Sequence, residues 1–108
     1  MTSQNIENIS EMGIFQSLKE VIDPELYVNI VDLGLVYGVI LTKDPLSVKI
    51  ELTLTSKGCP MGDAIIQDVE QTLMRLYPGL TVNVELVWEP SWSMDMVTDE
   101  GHAAFNGF

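Results

Sequence analysis

Residues 47–55, SVKIELTLT, alternate without a break. Val48, Ile50, Leu52 and Leu54 fall on one side, and Lys49, Glu51, Thr53 and Thr55 on the other. Successive side chains of a strand point to opposite faces, so this is a strand with one buried face. Its sheet must therefore be covered from one side only, as antiparallel sheets commonly are. The preceding run LVYGVILTK, Leu35 to Lys43, is apolar and β-branched and reads as a second strand. The KDP between them supplies a turn. The two strands are expected to pair as an antiparallel hairpin.

After the second strand the period changes from two to three or four. Met61, Ile65, Val69, Leu73 and Leu76 are spaced as one stripe of a helix. Pro60 suits its first position, where a missing N–H costs nothing, and Pro78 and Gly79 stop it. LTVNVELVW then alternates again, with Val82, Val84, Leu86 and Trp88 expected inward. A strand–helix–strand connection implies a parallel neighbour joined by a right-handed crossover. Upstream, Ile14, Phe15, Leu18, Val21 and Ile22 make the face of a helix that begins near Ser10 and ends by Pro24. The order is α-β-β-α-β. The fold class is a two-layer α/β (α+β) arrangement, a small mixed sheet with two helices on one face. Residues 1–9 are expected to be a mobile polar segment and 10–108 a single domain. The tail carries one further short helical pattern, near Thr98 to Phe105. Trp92 is expected to fold it back over the sheet.

Sixteen acids against five bases give a net charge of −11. Nucleic-acid phosphates and anionic membranes would be repelled, whereas basic protein surfaces and cations would be attracted. The longest apolar run, Asn29 to Leu41, is interrupted by Asp32 and too short to span a bilayer. MTSQNIENIS lacks the basic start and apolar core of a signal peptide. The single cysteine excludes an internal disulfide. A free thiol and a cytoplasmic location are the simplest expectation.

That cysteine, Cys59, stands where the strand pattern ends and the helix pattern begins. A helix start offers unpaired N–H groups and partial positive charge, which favour a thiolate. Gly58 permits a sharp turn and close approach to the sulfur. Thr53 and Thr55 point off the packed strand face and are expected to line the approach. The alternative is a buried structural cysteine. His102 is the chain's one histidine, and a Cys59–His102 pair is weakly signalled beside an exposed tail histidine. No C-x-x-C is present, and one thiolate falls well short of the four ligands of a zinc site or an iron–sulfur cluster. Other ligands would come from the acidic loop, from a second subunit, from a small thiol or from a client protein. The acidic loop offers Asp23, Glu25 and Asp32. Asp23 precedes Pro24 and is expected to cap the helix or a turn. Glu25 reads as solvated. Asp32 is embedded in apolar sequence, so it either binds donors of its own loop or lines the Cys59 site.

Four stretches taken together, DPELYVNIVDLGLVY, LTLTSKGCPMGDAI, VNVELVWEPSW and the closing NGF, resemble the small metal–sulfur cluster assembly domain of the SufT and PaaD type. The likeness runs over residues 14–108. It implies the iron–sulfur cluster assembly fold and a role in assembling or delivering clusters through protein partners. By the resemblance, the reactive cysteine falls on Cys59, beside Gly58 and the Thr-x-Thr pair Thr53 and Thr55. The Asp-Pro-Glu element falls on Asp23, Pro24 and Glu25, and the Asp-Leu-Gly element on Asp32, Leu33 and Gly34. One departure is Ser91, where such domains often carry a second proline.

The expected function is therefore a non-enzymatic maturation factor, with Cys59 as a transient ligand of iron or an iron–sulfur cluster and with Thr53, Thr55 and Gly58 around it. Asp23, Glu25 and Asp32 are the candidate oxygen ligands. Its partners would be iron–sulfur assembly proteins and client apo-proteins, and a homodimer would bring two thiolates together. Two alternatives stand beside it. One is a protein–protein adaptor that binds no metal; the other is a thiol enzyme using Cys59 as nucleophile, for which the chain shows no well-placed base.

Overall fold

A computed structural model describes residues 9–55 and 62–106. Its elements are α1 (Glu11–Ser17), β1 (Val36–Lys43), β2 (Leu46–Leu52), α2 (Gly62–Leu76), β3 (Thr81–Leu86) and α3 (Asp99–Asn106). The sheet has the order β1-β2-β3. β1 and β2 are antiparallel, with Val39 opposite Ile50 and Leu41 opposite Val48. β2 and β3 are parallel, with Ile50 beside Val84. This is the mixed sheet expected from the sequence, with α3 added at the end.

The alternation of β2 decides the layering. Val48, Ile50 and Leu52 are buried in one cluster with Ile14 and Leu18 of the α1 region and Ile65, Val69 and Leu73 of α2. The long loop between α1 and β1 adds Val21, Val28, Ile30, Leu33 and Leu35 to the same core. α1 begins as its sequence suggests: the Ser10 hydroxyl accepts the Gly13 N–H at 3.0 Å and satisfies one orphan donor of the first turn. α2 is stopped at Gly79, whose φ of +94° suits glycine.

Four expectations are corrected. The first helix ends at Ser17 and tightens into a 3-10 turn over Leu18–Glu20, well before Pro24. Ile22 consequently leaves the helical stripe and is 45% exposed, bridging Asn29 in extended backbone. Leu86, expected inward, is 37% exposed at the end of the edge strand β3. Ile9, placed in the polar N-terminal segment, is buried in the core. The remainder of that segment, 1–8, lies outside the described residues.

Candidate functional site

The acidic loop is built from two consecutive turns. In the first, Asp23 Oδ1 accepts the backbone N–H groups of Glu25 at 2.8 Å and Leu26 at 3.0 Å. Its own N–H donates to Val28 O, and its carbonyl accepts Tyr27 N–H. An aspartate that bonds backbone two and three residues ahead makes an Asx turn, and Pro24 supplies the fixed φ that such a turn needs. Asp23 is 2% exposed, a buried carboxylate whose oxygen serves the chain. Glu25 is exposed. Tyr27 closes the turn with φ +60°, a left-handed backbone rarely taken by a bulky residue, and its side chain is 69% exposed.

In the second turn Asn29 and Asp32 bond reciprocally. Asn29 Oδ1 accepts Asp32 N–H at 2.9 Å, and Asn29 Nδ2 donates to Asp32 Oδ2 at 2.7 Å. The other oxygen, Oδ1, accepts the Thr98 hydroxyl at 3.0 Å, 66 residues away. The backbones repeat the contact, Thr98 N–H donating to Asp32 O at 2.8 Å. Thr98 Oγ1 in turn accepts Gly101 N–H and so caps α3. Trp92 Nε1 donates to Leu33 O at 2.6 Å. Gly34, at φ +77°, lies under the Met96 backbone, and a Cβ there would collide with the Met96 carbonyl oxygen. The C-terminal tail is thus clamped on the Asp32–Gly34 segment by hydrogen bonds and by close approach.

The end of this loop is joined to the residues that follow β2 by a backbone bond, Thr53 N–H to Leu35 O at 2.8 Å. Thr53 is 1% exposed, and among the described residues its Oγ1 is a buried side-chain oxygen without a hydrogen-bond partner. An open position lining an approach is expected for Thr53, but it is buried. Thr55 is half-buried. Gly58 and Cys59, with Pro60 and Met61, lie outside the described residues. The described ends of that segment meet: Gly62 packs so closely on Leu54 that a Cβ would stand 2.8 Å from Leu54 Cδ1.

Asp23, Glu25 and Asp32 do not gather with one another or with His102 into a metal-holding cluster; among the described residues no three of His, Cys, Asp or Glu do so. Asp23 Oδ1 and both oxygens of Asp32 are engaged within the fold. Sequence reasoning missed Asn29 and Thr98 as the partners of Asp32. Thr98 carried a signal, since a threonine just before an acidic helical turn is a good N-cap, but nothing local tied it to Asp32. His102 sits half-buried on α3.

A three-strand mixed sheet, a cysteine that falls in the sequence between β2 and α2, and an Asx-turned acidic loop ahead of β1 define a class of small α/β domains. Residues 11–86 match the model of the iron–sulfur cluster assembly protein family, and the chain belongs to that family. It is 40% identical over 93 residues to the Fe-S protein maturation auxiliary factor YitW of Bacillus subtilis (strain 168), covering 86% of this chain and 90% of that one. It is 44% identical over 78 residues to the Fe-S protein maturation auxiliary factor SufT of Staphylococcus aureus (strain USA300), covering 72% and 88%. Its structure is similar to that of a domain of unknown function from Bacillus anthracis, with a TM-score of 0.84, 38% identity and coverage of 89% and 91%. A conserved hypothetical protein of Thermotoga maritima gives a TM-score of 0.75 at 32% identity, covering 90% and 94%. Among the described residues no helix is long and apolar enough to cross a membrane.

Proposed function

We propose that the protein is an accessory factor in the maturation of iron–sulfur proteins, without catalytic turnover of its own. It would assist the assembly of clusters or their delivery to client apo-proteins in the cytoplasm, with Cys59 as a transient ligand of the cargo. The observation that carries this is the kinship with maturation auxiliary factors over most of both chains. The donor chemistry supports it. Asp23 and Asp32 have oxygens bound within the fold, and carboxylates are harder donors than iron–sulfur centres favour, so the sulfur of Cys59 is the natural ligand. Thr53 Oγ1, buried and unpartnered six residues before Cys59, is a polar group free to meet whatever the thiol segment holds. A single thiolate leaves three of the usual four cluster positions open. An incomplete ligand set suits transfer, because the open positions admit the next owner's cysteines.

Anaerobic reconstitution with iron and sulfide, followed by size-exclusion chromatography and metal and sulfide analysis, tests the proposal. The wild type is expected to hold a cluster only with a small thiol or a second protein supplying the other ligands, to pass it to a cysteine-rich apo-protein, and to lose it on Cys59→Ser. A cluster retained by Cys59→Ser refutes the ligand role. One held stably by the monomer alone refutes the transfer mechanism built on an incomplete ligand set.

A further inference from the structure

The turn at Ile22–Tyr27 is anchored in the core by Val21, Val28 and the buried Asp23, and turns Ile22 and Pro24 outward beside α2. Between them runs a groove of about 320 Å³, with Ile22 and Pro24 from the turn, Ala64, Gln67, Asp68 and Gln71 from the exposed side of α2, and the buried Ile65. Ile22 and Pro24 are exposed there, and the same turn holds the Tyr27 ring out in solvent. The turn is not free to collapse. Asp23 fixes it with two side-chain bonds, the Tyr27 N–H returns to the Asp23 carbonyl, and Ile22 is bridged to Asn29. The wall is therefore rigid and its apolar groups are presented before any partner arrives, which lowers the ordering cost of binding.

The charge around the groove selects the partner. α2 carries Asp63, Asp68 and Glu70 against one base, Arg75, and Arg75 is held by Glu20 at 2.7 Å. A second copy of the chain, itself at −11, would bring acid against acid, and phosphate-bearing surfaces are repelled in the same way. A basic segment meets attraction at the rim and apolar contact within.

We propose that this groove docks a basic segment of a partner protein. An apolar side chain would seat against Ile22, Pro24 and Ala64, and Lys or Arg on either side of it would face Asp68 and Asp63, with Tyr27 at the margin. The proposal rests on the maturation reading for the kind of partner, an assembly or client protein, but the docking itself requires neither metal nor Cys59.

The test uses the metal-free full chain, labelled with nitrogen-15 and titrated with a blocked peptide of sequence GKRLKRG at low salt. Amide shifts are expected to concentrate at Ile22 to Tyr27 and along Ala64 to Gln71. Asp68→Lys, which gives up only a long 3.5 Å contact from the Thr72 hydroxyl, and Ile22→Ser, both at exposed groove-lining positions, should each weaken binding about fivefold or more, with the nitrogen-15 spectrum of each free variant checking that the fold is kept. Asp95→Lys, the same charge change on an exposed turn elsewhere, should weaken it less than about twofold. Replacing the peptide's leucine with serine should weaken it as Ile22→Ser does. Shifts scattered over Asp95, Asp99 and Glu100, or equal losses for Asp68→Lys and Asp95→Lys, would show undirected attraction to an acidic protein and overturn the proposal. A sedimentation dimer abolished by Ile22→Ser would assign the groove to a second copy and overturn it too. Because no metal is present, none of these outcomes depends on the reconstitution experiment. Loss of the cluster reading would leave the docking result standing.

Discussion

Replacing Asp32 with alanine removes two hydrogen bonds at once, from the Asn29 amide and from the Thr98 hydroxyl, both partly buried. Each of these partly buried bonds contributes about 1–1.5 kcal/mol net, with water able to reach the freed donors, so the expected cost is about 2–3 kcal/mol. For a domain of this length that is a fall in melting temperature of roughly 10 °C. The backbone bond from Thr98 to the Asp32 carbonyl does not need the side chain, so the tail should loosen without detaching. Thermal and urea unfolding of Asp32→Ala, beside Asp95→Ala as an exposed control expected within about 0.5 kcal/mol, reads the total effect. A double-mutant cycle with Thr98→Val isolates the long-range bond, and a coupling of about 1 kcal/mol is expected between partners in direct contact. If Asp32→Ala melts within about 2 °C of wild type, or the cycle shows no coupling, the carboxylate is solvated and the clamp does not hold the tail.

Two further substitutions probe the neighbourhood of the clamp and of the thiol segment. Gly34→Ala should cost at least about 2 kcal/mol, because the left-handed backbone disfavours a Cβ and the Met96 carbonyl occupies its space; the urea midpoint measures it. Thr53→Val should raise stability by about 1 kcal/mol, since it removes a buried unpaired hydroxyl at nearly constant shape; a comparable loss on calorimetry would mean that the hydroxyl has a partner.

The layers of the fold were legible because each rests on a local period. SVKIELTLT declares its buried face residue by residue, and Ile65, Val69, Leu73 and Leu76 declare theirs, so the sheet, the second helix and the parallel third strand followed. Local pattern failed where tertiary contact decides. Ile22 sits at helical spacing from Leu18, yet the chain leaves the helix at Ser17 and enters a turn organised by the Asp23 side chain. Leu86 continues an alternation, but it lies at the end of an edge strand with little to cover it. At the candidate site, the chemistry of Asp32 was half legible. Its apolar setting demanded donors, but the donor from Thr98 arrives across 66 residues that no periodicity connects. The family kinship could be read from four short stretches whose order and spacing carry more than any one of them. The Tyr27 backbone could not, since a tyrosine gives no sign of a positive φ.

The join between the first helix and the sheet has a consequence for how this chain avoids its own kind. Glu11, in the opening turn of α1, accepts the Leu41 N–H of β1 at 2.9 Å. β1 lies at one border of the sheet, and an outward N–H on a border strand is an invitation to any extended chain. Here the invitation is already answered from within, by a carboxylate that a newcomer would have to displace and whose charge would remain beside it. The first helical turn therefore acts as a guard rail for the sheet border: as long as α1 stays wound, strand-to-strand stacking of copies is obstructed at Leu41, and fraying of those few residues would free the border N–H beside Ile40, an apolar side chain that is already 44% exposed.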